Sequence, residues 1–362
     1  TCLVGSEMCI RDRNWFDAVG EEHRAVRERV ALFDQSSFAK YRVAGPGAAA
    51  ALSWICANRV DAPVGAVVYT QMLNQRGGIE SDLTVTRVAE DEFYLVTGTG
   101  FATHDFDWIR RNIPADCDAR VDDVTSAWAV LSLMGPRARD VLQALVRDDI
   151  SHDAFAFATM RQLAIGGAVV RALRVSYVGE LGWELHVPVE CTAMVYQQLM
   201  AAGEPHGISN AGYRAIESLR LEKAYRAWGA DIGPDHNPLQ AGLGWAVDLN
   251  SGKDFIGREA VLEQQHQPLA RSLAGFTLAD RDIVLLGRET IYRDGERVGW
   301  LSSAGWGYTL QTNIGLGYVR NPAGVDRDYL QAGSYELEVA GERHPCELQL
   351  QPLYDPGMLK MK

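Results

Sequence analysis

Apolar and polar positions alternate along this chain with two different periods. In HRAVRERVALF, residues 23–33, Val26, Val30 and Phe33 recur at helical spacing, and the pattern predicts a helix from Glu21 to Phe33. Gly45-Pro46-Gly47 precedes a second helical run through Ala51, Leu52 and Ile55. The segment VVYTQMLNQRGGIESDLTVTRV then alternates with period two on either side of Asn74-Gln75-Arg76-Gly77-Gly78, which predicts a hairpin. EFYLVTGT, residues 92–99, predicts a further strand. AWAVLSLMGPRARDVLQALV reads as strand, turn and helix, with Pro136 suited to the first helical position. ALRVSYV and WELHVPV read as strands around Gly179 and Gly182, followed by a helix over Cys191–Ala202. A longer helix is predicted in NAGYRAIESLRLEKAYRAW, capped by Ser209 or Asn210 and stopped by Gly229. Its charged residues, Arg214 to Arg226, read as a solvated face, and Tyr225 and Trp228 as core.

After about Ala270 the texture changes to short alternating strands with turns at Asp294-Gly295 and Gly341-Glu342, and no helix is predicted. Interleaved helices and hairpins predict an α+β body with mainly antiparallel sheets, residues 14–270. A carboxyl-terminal β-barrel domain, 271–362, follows it. Residues 1–13, TCLVGSEMCIRDR, lack the apolar core and cleavage site of a signal peptide. They read as a non-native leader, like translated sequencing-adapter read-through, and are set aside.

Composition narrows the function classes. A net charge of −12 argues against non-specific nucleic-acid or membrane-surface binding, and no apolar run reaches the length of a membrane span. The six cysteines and eight histidines are scattered, without C-x-x-C or H-E-x-x-H, so neither a disulfide framework nor a metal site is expected. A reducing compartment, cytoplasm or mitochondrial matrix, fits that usage. The G-T-G-F-A-T run at Gly98 echoes a dinucleotide fingerprint, but no β-α-β unit supports it.

Two acidic positions carry candidate chemistry. On IESDLTVTR, Asp82, Thr84 and Thr86 share one face and Leu83 and Val85 the other. Asp82 is either a general base or cation-positioning group, or a solvated strand residue. Tyr69, on the preceding strand, is placed to share its face. In Y-V-G-E-L-G-W-E, two glycines allow a reversal that brings Tyr177 and Glu184 to one pocket. A carboxylate there suits a flat heterocycle with two N–H donors; otherwise Glu180 and Glu184 lie in water.

These same residues, together with NWFDAVGEEHRAVRERVALFDQSSFAKY, NPLQAGLGWAVDL, KDFIGREA, SAGWGYTLQTNIGLGYV and PLYDP, give the chain a resemblance to the glycine-cleavage T-protein (aminomethyltransferase) family. The resemblance runs from Asn14 to the end and is closest to the folate half of sarcosine and dimethylglycine dehydrogenases and dimethylglycine oxidase. It implies a three-part ring around a folate channel, closed by the barrel. Asp82 is then the acidic residue that orients or deprotonates the folate amine. Tyr69, Gly98, Tyr177, Glu184 and Tyr225 are then tetrahydrofolate contacts. It also implies a methylamine-derived one-carbon donor and an upstream flavin domain, in cis or trans, holding FAD outside this chain. T-proteins proper read D-D-L at Ser81-Asp82-Leu83 and S-N-A-G at Thr97–Gly100, and carry arginine at Ile216. Those departures favour an amine-oxidising partner over a lipoyl protein. Other readings that the resemblance leaves open are a stand-alone folate-dependent demethylase, a glycine-cleavage aminomethyltransferase, and a non-catalytic folate-binding module.

Overall fold

The structure, a computed structural model, describes residues 14–361, so the expected leader over residues 1–13 lies outside the described residues. Helix α1 (Phe16–Glu28) leads into β1 (Ala31–Asp34), β2 (Ala39–Ala44), α2 (Ala48–Ile55) and the hairpin β3 (Val67–Leu73)–β4 (Ile79–Ala89). β5 (Glu92–Thr97), α3 (Ala102–Asn112), β6 (Arg120–Asp123), β7 (Trp128–Met134) and α4 (Ala138–Gln143) follow. Then come β8 (Met160–Ile165), β9 (Ala168–Leu173), β10 (Gly182–Pro188), α5 (Thr192–Gly203), β11 (Ser209–Ala211) and α6 (Tyr213–Glu222). After α7 (Arg258–Gln265), the strands β12 (Arg271–Leu278), β13 (Thr290–Arg293), β14 (Glu296–Gly307) and β15 (Thr312–Arg320) precede α8 (Arg327–Ala332), β16 (Tyr335–Val339) and β17 (Glu342–Gln349).

The strands form three bodies. One sheet runs β11-β1-β7-β10-β9-β8, a second runs β3-β4-β5-β2-β6, and the last six strands close into a barrel, β12-β15-β14-β13-β16-β17. Pairing is antiparallel throughout these ladders, apart from β1 with β11. This is the mixed α and β architecture with mainly antiparallel sheets and a terminal barrel that the pattern predicts.

Side-chain alternation decides where the cores lie. On the first sheet, Leu131, Leu133, Trp183, Leu185, Val187, Val170 and Ala172 face one way and join one apolar core with Val141, Leu142, Val195 and Leu199 of α4 and α5. On the second, Tyr41, Val43, Leu83, Val85, Phe93 and Leu95 join Leu52 and Ile55 of α2 and Ile109 of α3. Each sheet therefore turns its apolar face outward, under helices. The opposite faces, carrying Ser132, Arg171, Glu184 and His186 on one sheet and Gln71, Asp82, Thr84, Thr86 and Tyr94 on the other, look toward each other. The Tyr94 hydroxyl meets His186 Nδ1 at 2.9 Å across that interior.

Several elements differ from their expected form. Helix α1 stops at Glu28, so Val30 and Phe33 do not extend it; residues 31–34 pair with β7 and β11 and are a strand buried on both sides. A short apolar run does not reveal its period. Pro136 lies two residues ahead of α4 rather than at its first position. Of the strand expected in ALRVSYV only Ala172 and Leu173 are extended, as the end of β9. Ser209 and Asn210 cap nothing: they zip parallel onto β1, and α6 starts after Gly212. That helix ends at Glu222, because Ala224 takes the left-handed conformation (φ 52°) and turns the chain back. Its charges are only in part solvated: Arg214 is exposed, but Arg220, Glu222 and Lys223 are buried. The barrel does contain a helix: the Asp326 side chain accepts from Tyr329 N at 2.7 Å and opens α8.

Buried charge locks the bodies together. Arg27 of α1 donates to Glu180 Oε1 at 3.1 Å and Glu222 Oε2 at 3.0 Å, and its guanidinium lies 3.9 Å from the Tyr354 ring centroid. Tyr354 in turn donates to Glu180 at 2.6 Å. Arg220 pairs with Asp231 at 2.8 Å and reaches Ser303 of β14, also at 2.8 Å. Removing one member of such a network strands a charge in low dielectric. Arg27→Met is expected to cost about 3–5 kcal/mol in urea unfolding. A loss near the ~0–1 kcal/mol of a surface pair would mean that the two carboxylates find other partners.

Candidate functional site

The site is built from the polar interior between the two sheets. Across β3 and β4, Gln71 pairs with Asp82 and Tyr69 with Thr84, so all four side chains share one face. Gln71 Nε2 donates to Asp82 Oδ1 at 3.0 Å. Burial pushes the Asp82 carboxyl up to about 6, and hydrogen bonding from Gln71 and Tyr69 and the Arg226 charge oppose that rise. Asp82 nevertheless keeps partial solvent access. A carboxylate deep in the protein, reachable by solvent and half-protonated near pH 6, can hold or release a proton under ordinary conditions.

The other expected residues occupy different stretches of the same wall. Leu83 pairs with Thr97, which places Gly98 beside Asp82 at the end of β5. A methyl at Gly98 meets only the Phe101 ring, at 3.6 Å, so packing within the chain does not itself demand glycine there. The Tyr177 hydroxyl donates to Arg226 O at 2.9 Å, and its ring stacks on Tyr225 at 5.8 Å and 20°. Tyr225 donates onward to Met361 Sδ at 3.5 Å. Burial raises the Tyr177 hydroxyl pKa, against the Arg220 charge, and Glu217, Asp231 and Asp82 add to the rise. The reversal expected at Gly179 is present: its φ is 81°, and a Cβ there would sit 2.5 Å from Lys223 Cδ.

That reversal does not bring Tyr177 against Glu184. Glu184 belongs to β10 on the facing sheet, opposite Ser132 and Leu173, with Oε2 at 3.7 Å from His186 Nε2. Glu180, which the alternative reading put in water, is instead held in the Arg27 network. Tyr69, Gln71, Asp82 and Gly98 thus form one group, Tyr177 and Tyr225 a second beside it, and Glu184 the opposite wall.

Three residues here escaped the sequence reading. Trp245 is 70% exposed, yet it stacks on Tyr69 at 5.4 Å and 26°, which makes an aromatic platform at the edge of the site. Its signal was a tryptophan between glycine and a short apolar run, outside any periodic pattern. Asp105 accepts from Ser81 at 2.9 Å and Thr97 at 2.5 Å, and its charge adds to the upward pressure on Asp82. His186 is buried, and Nε2 has no hydrogen-bond partner among the described residues; the same is true of Gln71 Oε1 and Thr86 Oγ1. Orphaned polar atoms on facing walls mark an interior suited to a polar guest. Among the described residues, no three His, Cys, Asp or Glu side chains are grouped to hold a metal ion, and no helix is long and apolar enough to cross a membrane.

A raised carboxyl has a stability consequence. Its folded pKa of about 6 exceeds the ordinary 3.8, so the native state prefers the protonated form, and stability from this group is lost as pH rises through 6. Asp82→Asn is therefore expected to raise the melting temperature at pH 7.5, with the gain shrinking toward zero near pH 4. Equal melting shifts at both pH values would contradict the buried-charge account.

Comparison with known proteins agrees with this geometry. Residues 6–251 match the GCVT N-terminal domain, and residues 271–355 match the glycine cleavage T-protein C-terminal barrel domain. Mitochondrial sarcosine dehydrogenase from Homo sapiens is 39% identical over 96% of this chain, and the chain spans 39% of that protein's length. An aminomethyltransferase from Halothermothrix orenii is 36% identical, with 84% of each chain covered. The crystal structure of glycine cleavage system aminomethyltransferase T from Bartonella henselae superimposes with a TM-score of 0.82 at 27% identity, covering 93% of this chain and 90% of that one. Paired polar-faced sheets, a closed barrel and the matched domains together make this chain a member of the glycine-cleavage T-protein family.

Proposed function

We propose that the chain catalyses tetrahydrofolate-dependent one-carbon transfer, capturing the carbon of an oxidised sarcosine- or dimethylglycine-type amine. The observation that carries this reading is Asp82, a solvent-reachable carboxylate with a pKa near 6, set beside Tyr69 on a polar wall.

The residues present suit a folate. Glu184, on the opposite wall with Oε2 3.7 Å from His186 Nε2, is the acceptor for the N–H edge of a pterin. Gln71 Oε1, Thr86 Oγ1 and His186 Nε2 offer further polar contacts. Tyr69 with Trp245, and Tyr177 with Tyr225, supply stacking surfaces for flat rings. Gly98, beside Asp82, leaves room for close approach. Tetrahydrofolate supplies the nucleophilic nitrogens, and the product is 5,10-methylenetetrahydrofolate.

Asp82 orients the attacking amine, takes its proton and returns it to the leaving amine, a cycle that a pKa near 6 allows in both directions. Its negative charge also favours a cationic donor. Burial and the Asp82 charge hold the Tyr69 hydroxyl well above its ordinary pKa, so it remains a hydrogen-bond donor to the carboxylate. We assign the preceding amine oxidation to an FAD-containing domain outside these residues, in cis or trans. The likeness to a sarcosine dehydrogenase of which this chain spans 39% supports that assignment. Cytoplasm or mitochondrial matrix is the compartment that goes with this chemistry. A proton-exchanging carboxylate in the interior favours turnover over a binding-only module.

Calorimetry with tetrahydrofolate tests the pocket: Glu184→Ala is expected to weaken binding at least tenfold, about 1.4 kcal/mol. A folded wild-type chain that binds no folate would remove the reading. Asp82→Asn is expected to cut turnover by roughly 10²–10⁴-fold while folate affinity changes little. Wild-type turnover should fall as pH drops through about 6, because the base is lost on protonation. Unimpaired turnover in Asp82→Asn would point to a different base.

A further inference from the structure

A cavity of about 70 Å³ lies between α6, the barrel strands β12 and β15, and residues 349–353. A single water needs only about 10–15 Å³ of such space, so the cavity admits a small organic molecule. Its walls include Leu221, Leu273, Ile314, Leu316 and Leu353, and Arg226 is the sole charged residue lining it.

Arg226 keeps part of its hydrogen-bonding capacity unused. Nε donates to Ala241 O at 2.9 Å and Nη1 to Ala224 O at 2.8 Å. Nη2 has no partner among the described residues, and it is not one of the sealed polar atoms. No carboxylate lies within 4 Å of the guanidinium among the described residues, whereas Arg27 and Arg220 are each tied to two. The guanidinium therefore has hydrogen-bonding capacity to spare, with Asp231 and Asp82 acting on it only at longer range, and a carboxylate is the group whose geometry matches it.

We propose that this cavity is a small-carboxylate site anchored by Arg226, and that its occupant is the carboxylate end of the amino-acid-derived one-carbon donor. The first half stands on the cavity alone; the second rests on the folate-transfer reading. The same residue links the cavity to the site already described, since its main-chain oxygen accepts from Tyr177. Its charge also acts on Tyr69 and Asp82. Donor choice then lies partly in this chain, rather than wholly in an oxidising domain.

The test uses the full chain and three probes of similar size: sarcosine, propionate and N-methylethylamine, titrated by saturation-transfer NMR. Sarcosine is expected to bind saturably and more tightly than propionate, with N-methylethylamine at least tenfold weaker. Arg226→Gln should weaken sarcosine at least tenfold, and Arg226→Lys should recover part of the loss by restoring charge without the fork. The wild-type probe series decides the matter even where a variant folds poorly. Equal binding of sarcosine and the carboxylate-free amine, or no saturable binding of either acid, overturns the site. Equal binding of sarcosine and propionate supports a carboxylate site and overturns its assignment to the donor. Folate calorimetry on the same sample separates the readings: sarcosine binding without folate binding removes the transferase proposal and the donor assignment that rests on it, and leaves the carboxylate site.

Discussion

Two sheets that face each other with polar side chains need their apolar faces buried elsewhere, and that requirement organises this molecule. In an ordinary sandwich the inner faces supply the core. Here Leu83, Val85, Leu185 and Val187 point outward, beneath α2 to α5, and each sheet has its own apolar cluster on the far side. The space between them is left to Asp82, Thr86, Glu184, His186 and Tyr94. Such an interior does not hold itself together by apolar contact. Directional bonds such as Tyr94–His186, and the buried charge networks around Arg27 and Arg220, fix the spacing instead. The chemistry of the site and the rigidity of the fold thus draw on the same polar residues.

The excursion after α6 serves both. It leaves the helix through a left-handed alanine, passes Tyr225, Arg226 and Trp228, and returns across the end of the β3–β4 hairpin. Trp228 donates to Ile79 O at 3.0 Å, and Ile79 N donates to His236 O at 3.0 Å. Asp231 lies in the same excursion and binds Arg220, while Tyr318 of the barrel donates to its main-chain oxygen. One irregular stretch therefore sets the position of Asp82 relative to the barrel.

Legibility in the sequence followed period. The β3–β4 hairpin could be read because alternation and the Asn-to-Gly turn agree, and the same alternation put Asp82, Thr84 and Thr86 on one face. The barrel could be read for the same reason. Residues 31–34 could not, since an apolar run buried on both sides has no period to betray it. Nor could the excursion: nothing local to Ala224 announces a positive φ, and Arg220 and Glu222 look like surface charges until their partners arrive from β14 and α1. The glycine spacing and the resemblance to a known family both pointed to Glu184 and Tyr177. Their division between two walls depends on register across strands far apart in sequence.

Trp245 carries one more consequence. The chain has nine tryptophans, and this one, 70% exposed, is well ahead of Trp54 at 38% and Trp15 at 37%. Its indole rests on Tyr69, one residue pair from Asp82. The protein thus carries its own optical reporter: the most water-exposed, red-shifted part of its emission comes from the rim of the cleft, while the buried indoles supply a steady blue background.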